Sequence, residues 1–200
     1  MAKLMKPRLK RARRCGTDLD LTSLVREKAR KSLPGGRSPG RNSDYNIQLQ
    51  MKQTIRMYYG IMERQFRNYY KKADRSKGST GDNLLLLLES RLDNLIFRSG
   101  FASTRAEARQ VVSHGHVKIN GKKVDIPSYQ VNIDDEISIV DKAQKTGRTA
   151  YAIECFKQRE EPLWINIDHE KCTAVLKENP GIADLPSVFK VKLVVELYSK

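Results

Sequence analysis

The segment RLDNLIFRSGFASTRAEARQVVSHGHVKING, residues 91–121, carries the clearest succession of structural signals in the chain. Its capping box, Thr104 to Glu107, predicts the start of a helix that ends at Gly115. Residues 116–119 then alternate as in a β-strand, and Asn120-Gly121 is typical of a two-residue type I′ turn. The segment therefore predicts a helix followed directly by a β-hairpin.

Two further helices are predicted upstream of this segment. Residues 82–98 are rich in leucine and end before Gly100, a residue suited to the left-handed position after a helix. Residues 44–75 repeat apolar side chains every three or four positions, which predicts one long amphipathic helix interrupted only by Gly60. Residues 77–82, KGSTGD, are interpreted as a linker between the two helices.

Downstream of the hairpin, the pattern predicts a mixture of strands and helices. Strands are expected at 129–133, 136–140 and 163–168, and a helix at 148–159. Residues 190–200 fit either a strand or a terminal helix. The chain as a whole is therefore expected to be an α+β protein.

The positive charge of the chain is concentrated near its N-terminus. The 200 residues carry a net charge of +15. Residues 1–41 hold 13 Lys+Arg and 3 Asp+Glu, a net of +10, and residues 42–80 hold 8 and 3, a net of +5. Residues 81–200 hold 17 of each, a net of zero. This segregation indicates a polyanionic partner, either a nucleic acid or an anionic membrane.

The cysteines and histidines do not predict a metal site, and no cofactor is expected. Cys15, Cys155 and Cys172 are scattered without a CxxC pair, which favours a reducing compartment and excludes a four-thiolate zinc site. His114 and His116 have no acidic residue nearby in the sequence. We interpret them as hydrogen-bonding or packing residues at a turn that faces RNA.

Two other classes of function fit parts of the sequence. Arg91-Leu92-Asp93 is similar to the segment that carries the catalytic aspartate in several pseudouridine synthases, but too little chain follows it for that catalytic domain. The alternative places these residues in a helical core row. A membrane-surface protein is the other class; however, the longest apolar run, residues 84–88, is far below the roughly 20 residues of a membrane-spanning helix, and the N-terminus lacks the apolar region of a secretory signal.

The helix predicted over 44–75 offers aromatic and cationic side chains to a nucleic acid. Its tyrosines either stack on unpaired bases or belong to the core, and the sequence leaves both interpretations open. Arg105 and Arg109 lie four residues apart on the helix before the hairpin, and we expect both on an exposed face. With Lys118 and its neighbours in the hairpin, they would present donors along an A-form RNA backbone, which is recognised by shape and phosphate.

Residues 91–121 resemble the small RNA-binding module named after small-subunit ribosomal protein four, which also occurs in tyrosyl-tRNA synthetases and some pseudouridine synthases. Residues 43–73, 77–85 and 195–200 resemble further parts of the bacterial-type family of that ribosomal protein. The similarity therefore runs nearly from end to end.

The resemblance implies an α+β fold in three parts. A basic arm (1–41) precedes a mostly helical domain (42–81, with 190–200) and an α/β domain (82–189). The helix-helix-hairpin RNA-binding module lies within the α/β domain, at about residues 91–155.

The resemblance also implies a function. Members of this family are structural, non-enzymatic proteins of the small ribosomal subunit in the cytoplasm. They are primary binders of its ribosomal RNA, nucleate subunit assembly and influence translational accuracy. Their expected partners are ribosomal RNA, ribosomal protein five and messenger RNA where it enters the ribosome, with no membrane partner.

The family pattern implies RNA contacts from three parts of the chain, here given as expectations. They are Arg8, Lys10, Arg11, Arg13, Arg14 and Arg41 in the arm; Lys52, Arg56, Arg64, Arg67, Asn68, Lys71 and Lys72 in the long helix; and Arg105, Arg109, His114, Lys118 and Asn120 in the module. The arm departs from the pattern because some family members bind zinc there through four cysteines. Only Cys15 lies in this arm, so a zinc-free form is expected; the arm also looks shorter than the family pattern through SLPGGRSPGR, residues 32–41.

The charge of the arm leads to a first prediction. A truncated protein that begins at Asn42 should keep the melting temperature of the full chain, because the arm has few apolar residues to bury. Its RNA affinity should fall at low salt. The slope of log K against log salt should become shallower by about 0.7 to 0.9 for each phosphate that the arm would otherwise neutralise. Binding across a potassium chloride series measures this slope, and equal slopes for both proteins would show that the arm does not contact RNA.

Overall fold

The computed structural model describes residues 43–144, 147–157, 159, 161–181, 184 and 189–199. These residues contain eight helices and a five-stranded antiparallel sheet, so the predicted α+β class is confirmed. The predictions made for the basic arm fall outside the described residues.

The elements follow one another along the chain in an order that begins and ends with helices. They are α1 (Asp44–Tyr58), α2 (Glu63–Arg75), α3 (Thr80–Glu89), α4 (Leu92–Arg98), α5 (Arg105–Ser113), β1 (Val117–Ile119), β2 (Lys122–Val124), β3 (Glu136–Ile139), α6 (Asp141–Gln144), α7 (Gly147–Phe156), β4 (Ile165–Asp168), β5 (Thr173–Leu176) and α8 (Val191–Tyr198).

The prediction of one long helix over residues 44–75 is wrong, because the chain turns after Tyr58. Gly60 has a φ of 65°, a conformation that an α-helix cannot continue through. Met62 then has an extended backbone and is the N-cap residue that precedes α2. The interruption folds α2 back, and its first residue, Glu63, reaches basic side chains of α1.

A helical cluster forms the first of two hydrophobic cores. Ile55 of α1, Phe66 of α2 and Leu84 and Leu88 of α3 are fully buried in it. The C-terminal segment, which fitted either a strand or a helix, is the helix α8, and its Val194 completes this core. The helical cluster therefore joins residues that lie more than a hundred positions apart in the sequence.

The predicted helix over residues 82–98 is two helices, α3 and α4, separated at Ser90 and Arg91. Arg91 is extended and forms an isolated antiparallel bridge with Gln130. The adjacent amide of Leu92 donates to the carbonyl of Tyr129, at 2.9 Å. The strand predicted at 129–133 is present only as this bridge. The pairing provides hydrogen-bond partners for backbone groups that a continuous helix would have paired internally.

The second core, the sheet cluster, lies against one face of the sheet. The strand order is β2-β1-β3-β5-β4, and every neighbouring pair is antiparallel. Val117, Ile137, Ala174 and Leu176 point into this cluster and meet Val112 of α5. Strand β5 was not predicted, although it supplies two of these buried side chains.

The hairpin between β1 and β2 turns at Asn120 and Gly121, which both have positive φ, as a type I′ turn requires. The Asn120 side-chain amide donates to Asp135, at 2.7 Å, and its oxygen accepts from the amide of Glu136, at 2.9 Å. Asn120 thus holds the hairpin against the start of β3.

Gly100 provides a direct test of this packing. Its φ is 77°, and a side chain there would run into the ring of Phe156. We expect Gly100→Ala to lower the free energy of unfolding by roughly 2 kcal/mol or more, because a left-handed backbone alone costs an L-residue roughly 1–2 kcal/mol. Gly147→Ala is the matched control, since no heavy atom lies within 4 Å of an added Cβ. Denaturant unfolding measures both variants, and equal stability would contradict the packing described.

Candidate nucleic-acid interface

Helix α2 carries a basic surface stripe, defined here as Arg64, Arg67, Asn68, Lys71 and Lys72. All five side chains are accessible to solvent, which an RNA contact would require. None of the four cations forms an ion pair with the described part of the chain. The stripe is therefore an uncompensated positive surface of the kind that binds phosphates.

The C-terminal half of the stripe lines a shallow surface pocket with a volume of about 390 Å³. Asn68, Lys71 and Lys72 line it together with Arg75 and Ser76. Lysine and arginine provide only hydrogen-bond donors, which suits an anion. Arg75 was missing from the predicted contacts, although its spacing of four residues from Lys71 places it on the same helical face.

Lys52 and Arg56, also predicted to contact RNA, are instead paired within the protein. Glu63 lies 2.7 Å from Lys52 and 3.1 Å from Arg56, and these two basic side chains are only 13% and 19% exposed. Burial alone would raise the pKa of Glu63, but the hydrogen bond and charge of Lys52, with Arg56, lower it. The expectation of a free basic face fails here because Gly60 turns α2 back and brings Glu63 onto α1.

Tyr58, Tyr59, Tyr69 and Tyr70 belong to the core, which decides for these four rings between the two interpretations left open by the sequence, whereas Tyr45 of α1 is exposed. Tyr58, Tyr59 and Tyr70 are buried in the helical cluster. The half-buried Tyr69 uses its hydroxyl to accept a hydrogen bond from Arg91, at 2.6 Å. These rings are not available to stack on bases.

The prediction that Arg105 lies on an exposed face is wrong. The residue is 9% exposed, and its Nε donates to Asn94, at 2.9 Å. Its guanidinium carbon lies 3.7 Å from the ring centroid of Tyr58 and 4.2 Å from that of Phe97. Arg105 is thus a cation held between two aromatic faces at the boundary of the clusters.

Arg109 is also not on a free face, contrary to the prediction. Its Nε and Nη2 donate to Oδ2 of Asp93, at 3.0 and 2.7 Å, and its Nη1 donates to the carbonyl of Gly60, at 2.7 Å. The spacing of Arg105 and Arg109 does place both on one face of α5. That face lies against the helical cluster instead of solvent.

Asp93 is the centre of this buried network. Arg91 binds it in a bidentate manner, with Nε to Oδ1 at 3.0 Å and Nη2 to Oδ2 at 2.8 Å. Burial by itself would lower the pKa of Arg91, but Asp93 outweighs this effect and raises it. Asp93 is 3% exposed, and both of its oxygens are occupied. This geometry gives a substrate no access to the aspartate that the enzymatic alternative would require.

Glu89 forms a second buried network. Its carboxylate is fully buried and accepts hydrogen bonds from Tyr59, at 2.6 Å, from Asn94, at 2.6 Å, and from Arg98, at 2.8 and 3.1 Å. Burial would raise the pKa of Glu89, but the charge and hydrogen bonds of Arg98, with the charge of Arg105, lower it. Burial and the neighbouring carboxylate raise the pKa of Tyr59.

The junction of α5 and the hairpin carries the remaining predicted residues. His114, Lys118 and Asn120 are all exposed there. Within the described residues, no group of three or more His, Cys, Asp or Glu side chains could hold a metal ion. Cys15 and the six predicted arm contacts, Arg8, Lys10, Arg11, Arg13, Arg14 and Arg41, lie outside the described residues.

Two family models match the chain and meet at the end of α3. The model of the ribosomal protein S4/S9 N-terminal domain matches residues 3–89, and that of the S4 domain matches residues 90–137. The small ribosomal subunit protein uS4 of Coxiella burnetii strain CbuG_Q212 is 51% identical to the chain over 206 aligned positions and the whole length of both proteins. The same protein of strain CbuK_Q154 is 50% identical, also over both whole lengths.

The chain belongs to the uS4 family. It is accordingly a structural, RNA-binding protein of the small ribosomal subunit and not an enzyme. Its location, as a protein of that subunit, is cytoplasmic. Separately, no helix among the described residues is both long enough and apolar enough to cross a membrane.

Glu89 allows the buried network to be tested through its pH dependence. We expect Glu89→Gln to lower the free energy of unfolding at neutral pH by roughly 3 kcal/mol, because it leaves Arg98 without its counter-charge. The pKa of Glu89 is lower in the folded than in the unfolded protein, so its contribution is present above the ordinary value of about 4.3 and is lost as the pH falls through the folded-state value.

The difference in stability between wild type and Glu89→Gln should therefore shrink in acid. Denaturant unfolding at a series of pH values measures it. Glu154→Gln, at an exposed position of α7, is the control and should match wild type throughout. A Glu89→Gln protein as stable as wild type at neutral pH would refute the role given to this carboxylate.

Proposed function

We propose that the chain is a primary binder of small-subunit ribosomal RNA that nucleates assembly of its part of the subunit and influences translational accuracy. In this proposal it contacts ribosomal protein five and lies near the path by which messenger RNA enters. Its division into a basic arm, a helical domain closed by the C-terminal helix and an α/β domain with the RNA-binding module belongs to the same proposal.

The observation that carries the proposal is the basic surface stripe of α2. The four cations of the stripe are exposed and have no ion-pair partner in the described part of the chain. The buried and half-buried cations named above are instead held by carboxylates or aromatic rings. Like charges gathered on one helix repel one another unless an anion neutralises them. A polyanion with regularly spaced phosphates satisfies this requirement along the whole stripe.

The second proposed contact is the end of the module that carries His114 and Lys118, which are exposed on the described surface. The arm, with its net charge of +10, supplies the third. Lys52, Arg56, Arg105 and Arg109 take a different role, since their side chains are engaged inside the protein. We assign them to the scaffold that supports the RNA-binding surfaces.

Direct binding to naked RNA tests the proposal of a primary binder. The protein should bind transcribed small-subunit ribosomal RNA without any other ribosomal protein and should prefer it to transcribed large-subunit ribosomal RNA at equal salt. Reconstitution of the subunit with this protein withheld should stall, and late addition should restore assembly. Binding that appears only after other ribosomal proteins are added would contradict the proposal.

Two matched changes separate the exposed arginines from the buried ones. Arg64→Ala with Arg67→Ala should change the free energy of unfolding by no more than about 0.5 kcal/mol. The slope of log K against log salt for RNA binding should become shallower by roughly 1.4 to 1.8, the amount for two neutralised phosphates. Arg109→Ala should instead lower the free energy of unfolding by roughly 1 to 3 kcal/mol, because Asp93 keeps Arg91 but loses its second arginine, and the carbonyl of Gly60 loses its donor. An unchanged RNA affinity in the double variant would show that the stripe does not face RNA.

A further inference from the structure

The turn between α5 and β1 brings an exposed imidazole, His114, close to a half-buried one, His116. His114 follows the last residue of α5, Gly115 has a φ of 68°, and His116 directly precedes β1. The ring centroids of the two histidines are 5.9 Å apart, with the edge of one ring towards the face of the other. The left-handed glycine makes this approach possible, because it reverses the chain in a single residue.

Two lysines lie on the same face of the hairpin as His116. Val117 and Ile119 point into the core, so the alternation of the strand places His116 and Lys118 on the outer face. Lys118 is directly opposite Lys123 in the register of β1 and β2. The side chain of Lys123 also lies over Gly115, where its terminal carbon and ammonium occupy the space that a Cβ would need. The four groups therefore form one cluster, the junction cluster: His114, His116, Lys118 and Lys123.

No described carboxylate is paired with the junction cluster. No ion pair within the described residues involves any of its four members. The segment that contacts the backbone of His116 contains Val140, whose amide donates to the His116 carbonyl at 2.9 Å. The acidic residue that follows Val140 is Asp141. The charged residues on the surrounding elements are Glu107, Arg109, Lys122, Asp125, Asp135, Glu136, Asp141 and Lys142.

Three nearby carboxylates are engaged elsewhere, whereas Asp125, Glu136 and Asp141 form no ion pair among the described residues. Asp135 accepts from Asn120, and Glu107 accepts from Ser103 at the opposite end of α5. Asp93 holds Arg109. Two lysines placed directly opposite each other on neighbouring strands destabilise a hairpin, and a bound anion would relieve this repulsion.

We propose that the junction cluster binds a phosphate of the RNA backbone with both imidazoles protonated, so that RNA binding is coupled to proton uptake. This inference rests on the proposed function, because it takes ribosomal RNA as the ligand. Imidazole is the side chain whose charge changes near neutral pH, and a neighbouring anion favours its protonated form. The bound protein therefore holds more protons than the free protein, and RNA affinity rises as the pH falls.

The test is the affinity of the full-length protein for transcribed small-subunit ribosomal RNA at constant ionic strength, at about pH 6 and about pH 8, on either side of the ordinary histidine titration. Each imidazole that takes up a proton should strengthen binding at the lower pH by roughly tenfold. This factor corresponds to a pKa shift of about one unit, the lower end of the range for an opposite charge at contact distance. The His114→Gln, His116→Gln double variant should lose most of this difference. RNA bases that titrate themselves affect both proteins equally.

A second pair of changes separates charge from proton uptake. Lys118→Gln with Lys123→Gln should weaken binding at both pH values and make the salt slope shallower by roughly 1.4 to 1.8. The exposed pair Lys157→Gln with Lys171→Gln is the charge-matched control and should have a smaller effect on both quantities. Thermal unfolding of every variant establishes that it is folded.

Calorimetry of the wild-type protein in two buffers of different ionisation enthalpy counts the protons directly, without relying on a variant. Net proton uptake on binding near neutral pH supports the inference. Absence of uptake, or an unchanged pH dependence in the double histidine variant, overturns it while leaving the proposed function intact. Failure of the wild-type protein to bind the RNA at either pH would instead overturn the proposed function.

Discussion

Two almost fully buried carboxylates, Asp93 and Glu89, hold the helical cluster and the sheet cluster together. A buried carboxylate is strongly unfavourable unless its charge and its lone pairs are satisfied. Asp93 meets this requirement through Arg91 and Arg109, and Arg109 also donates to the carbonyl of Gly60. The required partners are present only when the turn after α1 and the helices α4 and α5 are assembled, so the network favours one arrangement of the two clusters over others.

This constraint explains why the basic residues of the chain have two separate roles. The arginines that pair with Asp93 and Glu89 form contacts inside the protein, as does Arg105 between its aromatic rings, and they belong to the internal scaffold. The cations of the basic surface stripe and of the junction cluster point outward and have no internal counter-charge among the described residues. A rigid scaffold lets separate positive surfaces engage one RNA at the same time, because less conformational entropy is lost on binding.

The sequence predicts local features well, because they depend on residues close together. The capping box at Thr104 by itself favours the start of a helix, and the Asn120-Gly121 pair by itself favours a tight hairpin turn. Both elements are observed at these positions. The sequence does not reveal the partner of a charged residue. Arg109 and Arg64 are both arginines at similar helical spacings. Arg109 nevertheless contacts Asp93 and the carbonyl of Gly60, whereas Arg64 is exposed to solvent.

The wrong predictions share this cause. Periodicity predicts continuous helices over 44–75 and 82–98 because it does not show tertiary pairing, such as the bridge from Arg91 to Gln130 that separates α3 from α4. Strand β5 is short and pairs with β3 and β4, and its own residues do not reveal this pairing. Tyr58, Tyr59, Tyr69 and Tyr70 fit both a core and a base-stacking surface, and only packing decides between the two.

Native-state hydrogen exchange of the full-length protein tests the central claim most directly, namely that the buried carboxylates join the two clusters into one cooperative unit. The slowest amides of α1 and α3 should report the same opening free energy as those of α5, β1 and β3, since neither cluster can open without exposing Asp93 or Glu89. Two distinct opening free energies, with the helical cluster exchanging while the sheet cluster stays protected, would contradict the account.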